Sequence, residues 1–384
     1  MAETVVVLGA GYAGARAITS LESSLSSDVD LVWISRTDYH LVLHESHRAI
    51  RDPSVEEHIT IPIEDIAADS TTFIQGEVVG LDVTDRAIEL ADGESVEYDY
   101  VLVALGSGTA FYGIPGLAEH AHTLKSLKEA HGIHDAVVEA TESATEDDPA
   151  QIVVGGAGLS GIQTAGEVAG YRDDHDVPLE VHLVEALDEI FPGQDSAIQS
   201  ALRSRLEDAG VQIHTSDPIT EAESDVIHFD EGDSLPYDVL VWTGGITGQD
   251  ALTGVEVREE HNRLVTDATF ETSDERVFAI GDTALIDQGE TVAPPTAQAA
   301  WQAADLVGTN IQHAMEDREL AEWTFKDKGT VISIGERAVA HDVMLMPIST
   351  FGGFPARTLK KIIAARWIAS ITSWGRALRA WSVL

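Results

Sequence analysis

Two glycine-rich turns carry the clearest chemistry in this chain, Gly9-Ala10-Gly11-Tyr12-Ala13-Gly14 and Gly156-Ala157-Gly158-Leu159-Ser160-Gly161. Each follows an apolar run of strand type, Thr4-Val5-Val6-Val7-Leu8 and Gln151-Ile152-Val153-Val154, and each leads into an alanine-rich helical stretch. Strand, tight turn and helix N-terminus in that order make an anion site. Small glycines let backbone N–H groups approach a diphosphate at the positive end of the helix. One such turn is a weak signal, and its plain reading is a turn without a ligand. Two of them, each in the full strand-turn-helix setting, predict a chain that holds two dinucleotides.

A third feature distinguishes the two. The apolar run Val277-Phe278-Ala279-Ile280 ends on Gly281-Asp282. The carboxylate suits the ribitol hydroxyls of a flavin and the glycine admits a pyrophosphate, although by itself this is an ordinary Gly-Asp turn. Together with the fingerprints it predicts FAD in the first site and a nicotinamide dinucleotide in the second. In the second, Val181-His182-Leu183-Val184 ends on Glu185. A carboxylate there accepts the ribose 2′- and 3′-hydroxyls and repels a 2′-phosphate, so NADH is preferred to NADPH. The matching strand of the first site, Leu31-Val32-Trp33-Ile34, ends on Ser35-Arg36. The serine grips a ribose more weakly, and the arginine plane is placed to cover the adenine.

Several further segments resemble the type II, single-subunit and non-proton-pumping NADH dehydrogenases of the two-dinucleotide flavoprotein group. They are Tyr98-Asp99-Tyr100-Val101-Leu102-Val103-Ala104-Leu105-Gly106-Ser107, with Leu105 for the usual threonine, Gly113-Ile114-Pro115-Gly116-Leu117 and Leu124-Lys125-Ser126-Leu127. Val241-Trp242-Thr243-Gly244-Gly245-Ile246, Pro294-Pro295-Thr296-Ala297-Gln298-Ala299-Ala300-Trp301-Gln302 and Phe325-Lys326-Asp327-Lys328-Gly329 follow in the family's order. The resemblance covers most of the chain. It implies an α/β fold of two interleaved Rossmann-like domains, like glutathione reductase, and transfer of hydride from NADH through FAD to a quinone. It adds Val79, Ala104, Gly106, Gly244 and Ala297 to the cofactor contacts. It also places Gln298, Gln302 and Lys328 at the quinone end, where amides bond a carbonyl and a cation stabilises developing charge. Hydrogen bonds on a helix surface are the structural alternative for the two glutamines.

Two departures from that pattern bear on catalysis. Gln163 stands where the family has a glutamate two residues after the last fingerprint glycine, near the nicotinamide and flavin edge, while Glu167 remains. An amide orients a carboxamide but does not act as a base. The stretch Asp38-Tyr39-His40-Leu41-Val42-Leu43-His44-Glu45-Ser46-His47-Arg48 replaces a commonly apolar run near the flavin. Its His44, Glu45, His47 and Arg48 form either a proton relay or a solvated helix face. No histidine cluster has metal-ligand spacing, and no metal is expected.

Composition sets the surroundings. The chain has 384 residues, 44% of them hydrophobic, which suits two or three domains with sizeable cores. A net charge of −43 makes nucleic acid an unfavourable partner. A carboxylate-rich, lysine-poor surface matches proteins of a salt-loaded, halophilic cytoplasm, where screening makes self-repulsion tolerable. There is no cysteine, which excludes the protein-thiol reactions of the same fold group. Electrons must go directly to a quinone, to oxygen or to a small redox protein.

The elements that position these residues divide as follows: 1–115 for the first part of the FAD domain, 116–262 for an inserted NAD(H) domain, 263–325 for the second part of the FAD domain, and 326–384 for a C-terminal membrane-contact or dimer domain. A hairpin is expected near Asp92-Gly93, and residues 140–149 read as a surface loop. The first strand begins by residue 4 and no apolar run reaches about 18 residues, so no signal peptide or membrane span is expected and a cytoplasmic protein is. The tail qualifies this. After Asp342 there is no acidic residue, while Arg357, Lys360, Lys361, Arg366, Arg376 and Arg379 all occur. Ile363, Trp367, Ile371, Trp374, Leu378 and Trp381 recur every three or four residues, forming one apolar stripe opposite Lys361, Arg376 and Arg379. That composition suits a helix lying on an anionic membrane, with Gly375 as a break. The alternative is packing on the chain's own core or on a second copy in a homodimer. Two other functions stay open: a soluble NADH-dependent reductase of ferredoxin or a similar carrier, and a non-catalytic nucleotide sensor, motivated by Ser35 and Gln163.

Overall fold

A computed structural model describes residues 2–344 and 346–384. Two parallel sheets organise the α/β chain. The first has five strands in the order Val277–Ala279, Tyr100–Val103, Thr4–Leu8, Asp30–Ser35, Thr72–Gln75, all parallel. Val5 to Leu8 and Tyr100 to Val103 are buried throughout. Such continuous apolar strands are what a parallel sheet covered on both faces requires. The second sheet has the order Val211–His214, Leu179–Val184, Ala150–Gly155, Val239–Trp242, again all parallel. In both, the fingerprint strand lies between a neighbour that follows it directly and one that arrives much later. The crevice at that reversal, beyond the carboxyl ends of the strands, is where such sheets bind ligands.

The strand Val277–Ala279 brings the chain back to the first sheet after the second is complete. The helix Ala297–Met315 then packs along the first fingerprint helix, Tyr12–Ser24, with Arg16 paired to Asp305 at 2.6 Å. An antiparallel hairpin, Ala87–Leu90 with Ser95–Glu97, turns at Gly93, whose φ is 88°. The helix Leu127–Glu142 includes Ala140 to Glu142, so the polar loop starts at residue 143 and not at 140.

The last part is an antiparallel sheet, Thr330–Ile334, Arg337–His341 and Thr350–Gly352, followed by the helices Phe354–Ile371 and Trp374–Ala380. It is fastened to the second fingerprint helix, Leu159–His175: a Cβ on Gly166 would lie 2.7 Å from the Ile334 Cα. The tail stripe is corrected here. Trp367 and Ile371 are buried, whereas Ile363, Trp374, Leu378 and Trp381 are exposed. The helix Phe354–Ile371 has the antiparallel sheet on one side and the first fingerprint helix on another, so two of its faces are core. Lys360, expected among the outward cations, lies on a buried face, spaced four and seven residues from Ala364 and Trp367. The break between the helices falls at Thr372-Ser373, where the Ser373 side chain caps the second helix, and Gly375 lies inside that helix. Among the described residues no helix is long and apolar enough to cross a membrane.

Candidate functional site

The first fingerprint turn is braced from behind. Trp33, fully buried, donates its indole N–H to the Gly9 carbonyl at 2.9 Å. His40 Nδ1 lies 2.7 Å from the Ala10 carbonyl, which only accepts, so Nδ1 carries the proton. Its Nε2 then accepts the Trp367 indole N–H at 2.9 Å. Burial, which lowers the His40 pKa to about 4, keeps this ring neutral. Both carbonyls of the turn are thereby held by buried side chains. No side chain caps the helix that follows Gly11, and a Cβ on Gly11 would meet nothing within 4 Å. A Cβ on Gly14 would meet the Gly9 carbonyl oxygen at 1.9 Å, which is why the turn closes only on glycine.

Gly281 and Asp282 come to the same place. A Cβ on Gly281 would lie 2.9 Å from the Ala13 Cβ, and one on Gly9 would lie 2.4 Å from the Ala104 oxygen. Asp282 accepts from the Ser107 hydroxyl at 3.2 Å, and Lys125 Nζ donates to the same hydroxyl at 3.1 Å. Gly106, at φ 72°, faces open space. Ser35 is buried and its hydroxyl accepts the Thr37 N–H at 3.3 Å, while Arg36 and Val79 are exposed. Ala297 opens its helix behind the Thr296 cap. The uncapped helix, the open face at Gly11 and the nearby Asp282 fit FAD, which these residues would hold by its diphosphate and ribitol.

The second turn has the same shape and different supports. Gly158 precedes an uncapped helix and faces open space, and a Cβ on Gly161 would meet the Gly156 oxygen at 1.8 Å. Here a carboxylate grips the turn: Glu185 accepts the Ala157 N–H at 2.8 Å and the Leu187 N–H at 3.1 Å. Thr243 donates to the Gly156 carbonyl at 2.9 Å, and Gly244 backs directly onto Gly156. A carboxylate has about four lone-pair positions, so Glu185 keeps capacity for a ribose.

The structure gathers Gln298, Gln302 and Lys328, but through backbone. Gln298 accepts the Lys328 N–H at 2.7 Å and reaches the Gly329 carbonyl at 3.4 Å. Gln302 donates to the Lys326 carbonyl at 2.9 Å and accepts the Lys326 N–H at 3.2 Å. Both amides thus clamp residues 326–329 to the helix, structural hydrogen bonds that reach a separate segment instead of staying on the helix surface. The Lys328 residue is exposed.

A buried polar cluster lies between the two nucleotide sites. Glu45 and His47 are buried, so the solvated-face reading of that segment is corrected. His47 Nε2 stands 2.9 Å from the Ser333 hydroxyl, 3.3 Å from Gln163 and 3.9 Å from Glu167. Lys360 Nζ donates to Ser333 at 2.5 Å and lies 3.5 Å from Glu45, which also holds Arg48 at 2.5 Å. Burial raises the Glu167 pKa to about 7 against the pull of Arg48 and Arg51, and lowers Lys360 to about 8. Burial would also raise Glu45, but Lys360 and Arg48 hold it below the usual carboxylate range. Ser333 and Lys360 were not marked as site residues by the sequence. A lone serine in a strand carries no signal, and the cationic tail pointed Lys360 outward. Among the described residues no group of three or more His, Asp or Glu is placed to hold a metal ion.

Residues 3–304 match the family described as pyridine nucleotide-disulphide oxidoreductase, and the chain belongs to that family. Within it, the chain is 29% identical over 397 residues to the type II NADH:quinone oxidoreductase of Staphylococcus aureus, covering 98% of this chain and 97% of that protein. Its fold is similar to that of NDH2 from Plasmodium falciparum, solved in complex with NADH, with a TM-score of 0.82 and 17% identity over 100% of this chain and 97% of the other. It is also similar to the sulfide:quinone oxidoreductase of Aquifex aeolicus, with a TM-score of 0.80 and 16% identity over 96% and 91% of the two chains. The absence of cysteine here leaves no thiol for disulfide or sulfide chemistry.

Proposed function

We propose that the chain is an FAD-dependent NADH:quinone oxidoreductase that pumps no protons and works peripherally at the cytoplasmic face of a membrane. The observation that carries this reading is the pair of uncapped, open-faced fingerprint turns at the carboxyl ends of two separate parallel sheets. The near full-length similarity to type II NADH:quinone oxidoreductases supports it. FAD would be held by Gly9, Gly11, Gly14, Ser35, Arg36, Val79, Ala104, Gly106, Gly281, Asp282 and Ala297, and NADH by Gly156, Gly158, Gly161, Glu185 and Gly244. Bound FAD supplies two-electron redox chemistry. The protein supplies orientation: two dinucleotides fixed by their diphosphates have their reactive ends brought into near-attack geometry. The domain division given above is part of the same proposal, with Gln298, Gln302 and Lys328 at the quinone end.

The tail supports membrane contact in a narrower form than one continuous stripe. Phe354, Ile362, Ile363, Trp374, Leu378 and Trp381 are exposed beside the exposed cations Arg366 and Arg379. Aromatic and aliphatic groups next to arginine suit the headgroup region of anionic lipid. Flotation with anionic vesicles of the intact chain, beside one with Trp374 and Trp381 changed to serine, tests this. Equal flotation removes the membrane assignment, and a monomer-dimer shift between the two would assign the face to a second copy.

The activity itself is tested by anaerobic absorbance titration in high salt, with NADH added first and a short-chain quinone second. Bleaching of the flavin bands followed by their return is the expected result. A flavin that bleaches but ignores quinone would transfer the assignment to a carrier reductase. Colourless protein, or flavin indifferent to NADH, would favour the nucleotide sensor.

A further inference from the structure

One lysine joins the two parallel sheets. His122 lies along the edge strand Val239–Trp242 of the second sheet, its N–H donated to the Leu240 carbonyl at 2.8 Å and its carbonyl accepting the Trp242 N–H at 2.8 Å. Three residues on, Lys125 Nζ donates at 3.1 Å to the hydroxyl of Ser107, which is buried just beyond the strand Tyr100–Val103 of the first sheet. We propose that Lys125 is a positioning residue for the flavin: through Ser107 it aims the Asp282 carboxylate at the ribitol hydroxyls. The stretch that carries the second dinucleotide site thereby also fixes a contact of the first. The proposal rests on the reading of the first site as an FAD site, and it adds a residue that grips the cofactor indirectly.

The direction of the hydrogen bonds follows from the groups. An ammonium only donates and an ionised carboxylate only accepts. Lys125 therefore donates to the Ser107 oxygen, and the single Ser107 hydrogen goes to Asp282 Oδ2 at 3.2 Å. With that hydrogen committed, the carboxylate is held in one orientation and Oδ1 is left to accept from a ligand hydroxyl. Both bonds are charge-assisted, which makes them stronger than bonds between neutral groups. Arg263 donates to the Asp282 carbonyl at 2.7 Å and to the Ala284 carbonyl at 2.9 Å, so the backbone of the Gly281-Asp282 turn is held as well.

The lysine occupies a position that disfavours a charge. It stands one residue before Ser126, which caps the helix Leu127–Glu142, and a cation beside the positive end of a helix is repelled. It is also half-buried, and burial lowers its pKa against the pull of Asp282 and Glu129. These two carboxylates are the charges that face the amine, with Arg263 on the Asp282 backbone. Glu129 serves the helix start. It accepts the Lys125 N–H at 3.0 Å and the Ser126 hydroxyl at 2.6 Å, while Ser126 accepts the Glu129 N–H at 3.2 Å. This capping box fixes where the lysine side chain begins, and the bond to Ser107 fixes where it ends.

The test follows FAD release from the purified holoprotein, by the rise of flavin fluorescence, in Lys125→Met, Ser107→Ala and the double variant. Each single variant should release FAD about tenfold faster than wild type, and the double variant no faster than the singles, because both act on one contact. As pH rises toward the ordinary lysine value of 10.5, wild-type release should accelerate until it meets that of Lys125→Met. Lost packing alone would keep the two rates apart at every pH. A second readout needs no flavin. With the six lysines labelled with carbon-13 at Cε, the Lys125 resonance, identified by its loss in Lys125→Met, should titrate below 10.5 and lower still in Asp282→Asn. Equal release in wild type and both single variants, additive effects in the double variant, or a Lys125 titration indifferent to Asp282→Asn overturns the proposal. A wild-type chain that takes up no FAD would instead sink the FAD reading, and the carbon-13 titration would still decide whether Lys125 answers to Asp282.

Discussion

The two glycine turns are near copies in backbone and in the open space they leave, yet they are braced by opposite chemistry. Behind the first, two aromatic N–H donors, Trp33 and His40, hold the Gly9 and Ala10 carbonyls. Behind the second, the Glu185 carboxylate takes the Ala157 N–H and Thr243 holds the Gly156 carbonyl. The first brace is buried, neutral and part of the core, which suits a prosthetic group that stays. The second keeps an anionic acceptor at the ribose position, which suits a ligand that exchanges. The helices differ in the same sense. Two residues after the last glycine the first has Arg16, paired at the surface with Asp305, and the second has the buried Gln163. Six residues after it the first has Ser20 and the second Glu167. The shared motif offers a diphosphate the same backbone in both turns, and it is the supports that differ.

The largest expected effect breaks the comparison at its braces. Trp33→Ala removes a fully buried indole and should destabilise the protein by about 3–5 kcal/mol in urea denaturation, releasing FAD. Thr243→Ala, on the other side, should cost about 1 kcal/mol and leave the flavin bound. Next, valine at Gly11 or at Gly158 would fill space that is open in the fold, so both variants should remain folded by circular dichroism. Gly11→Val should purify without flavin. Gly158→Val should be yellow but bind NADH about 100-fold more weakly, about 2.7 kcal/mol, by fluorescence titration.

The second helix carries a pH dependence of its own. Burial raises Glu167 from its ordinary 4.5 to about 7, so between these values the folded state keeps a proton that the unfolded chain has lost. Its contribution to stability is full below about pH 4.5 and is lost as pH rises through about 7. Over that window the wild-type Tm should fall relative to Glu167→Gln, by a few degrees in scanning calorimetry. Parallel Tm curves would show that Glu167 titrates normally. The smallest effect sharpens the ligand assignment: Glu185→Gln should weaken NADH about fivefold to tenfold, about 1–1.4 kcal/mol, and narrow the preference over NADPH.

Much of this was legible in local sequence, because a strand, a glycine turn and a helix start are written within a dozen residues and depend on backbone sterics that any context preserves. Gly9 to Gly14, Gly156 to Gly161 and the Gly281-Asp282 turn are of that kind. The tail was read less well. Period alone placed Trp367 with Trp374 and Trp381, but one helix is packed on two sides and the next leaves its tryptophans exposed. Likewise the amides of Gln298 and Gln302 were recognisable as a pair, while their use on the backbone of residues 326–329 was not.

By itself the sequence determined the two strand-turn-helix fingerprints, the net charge, the exclusion of thiol chemistry and the carboxylate that ends the strand beside the second turn. These follow from residue type and from contacts a few positions apart. Only the tertiary structure decided that Glu45, His47, Gln163, Glu167, Ser333 and Lys360, drawn from four separated segments, share one buried cluster. Burial is a property of what packs on a residue from elsewhere in the chain, and it is burial that makes Glu167 hold a proton near neutrality and turns a tail lysine inward.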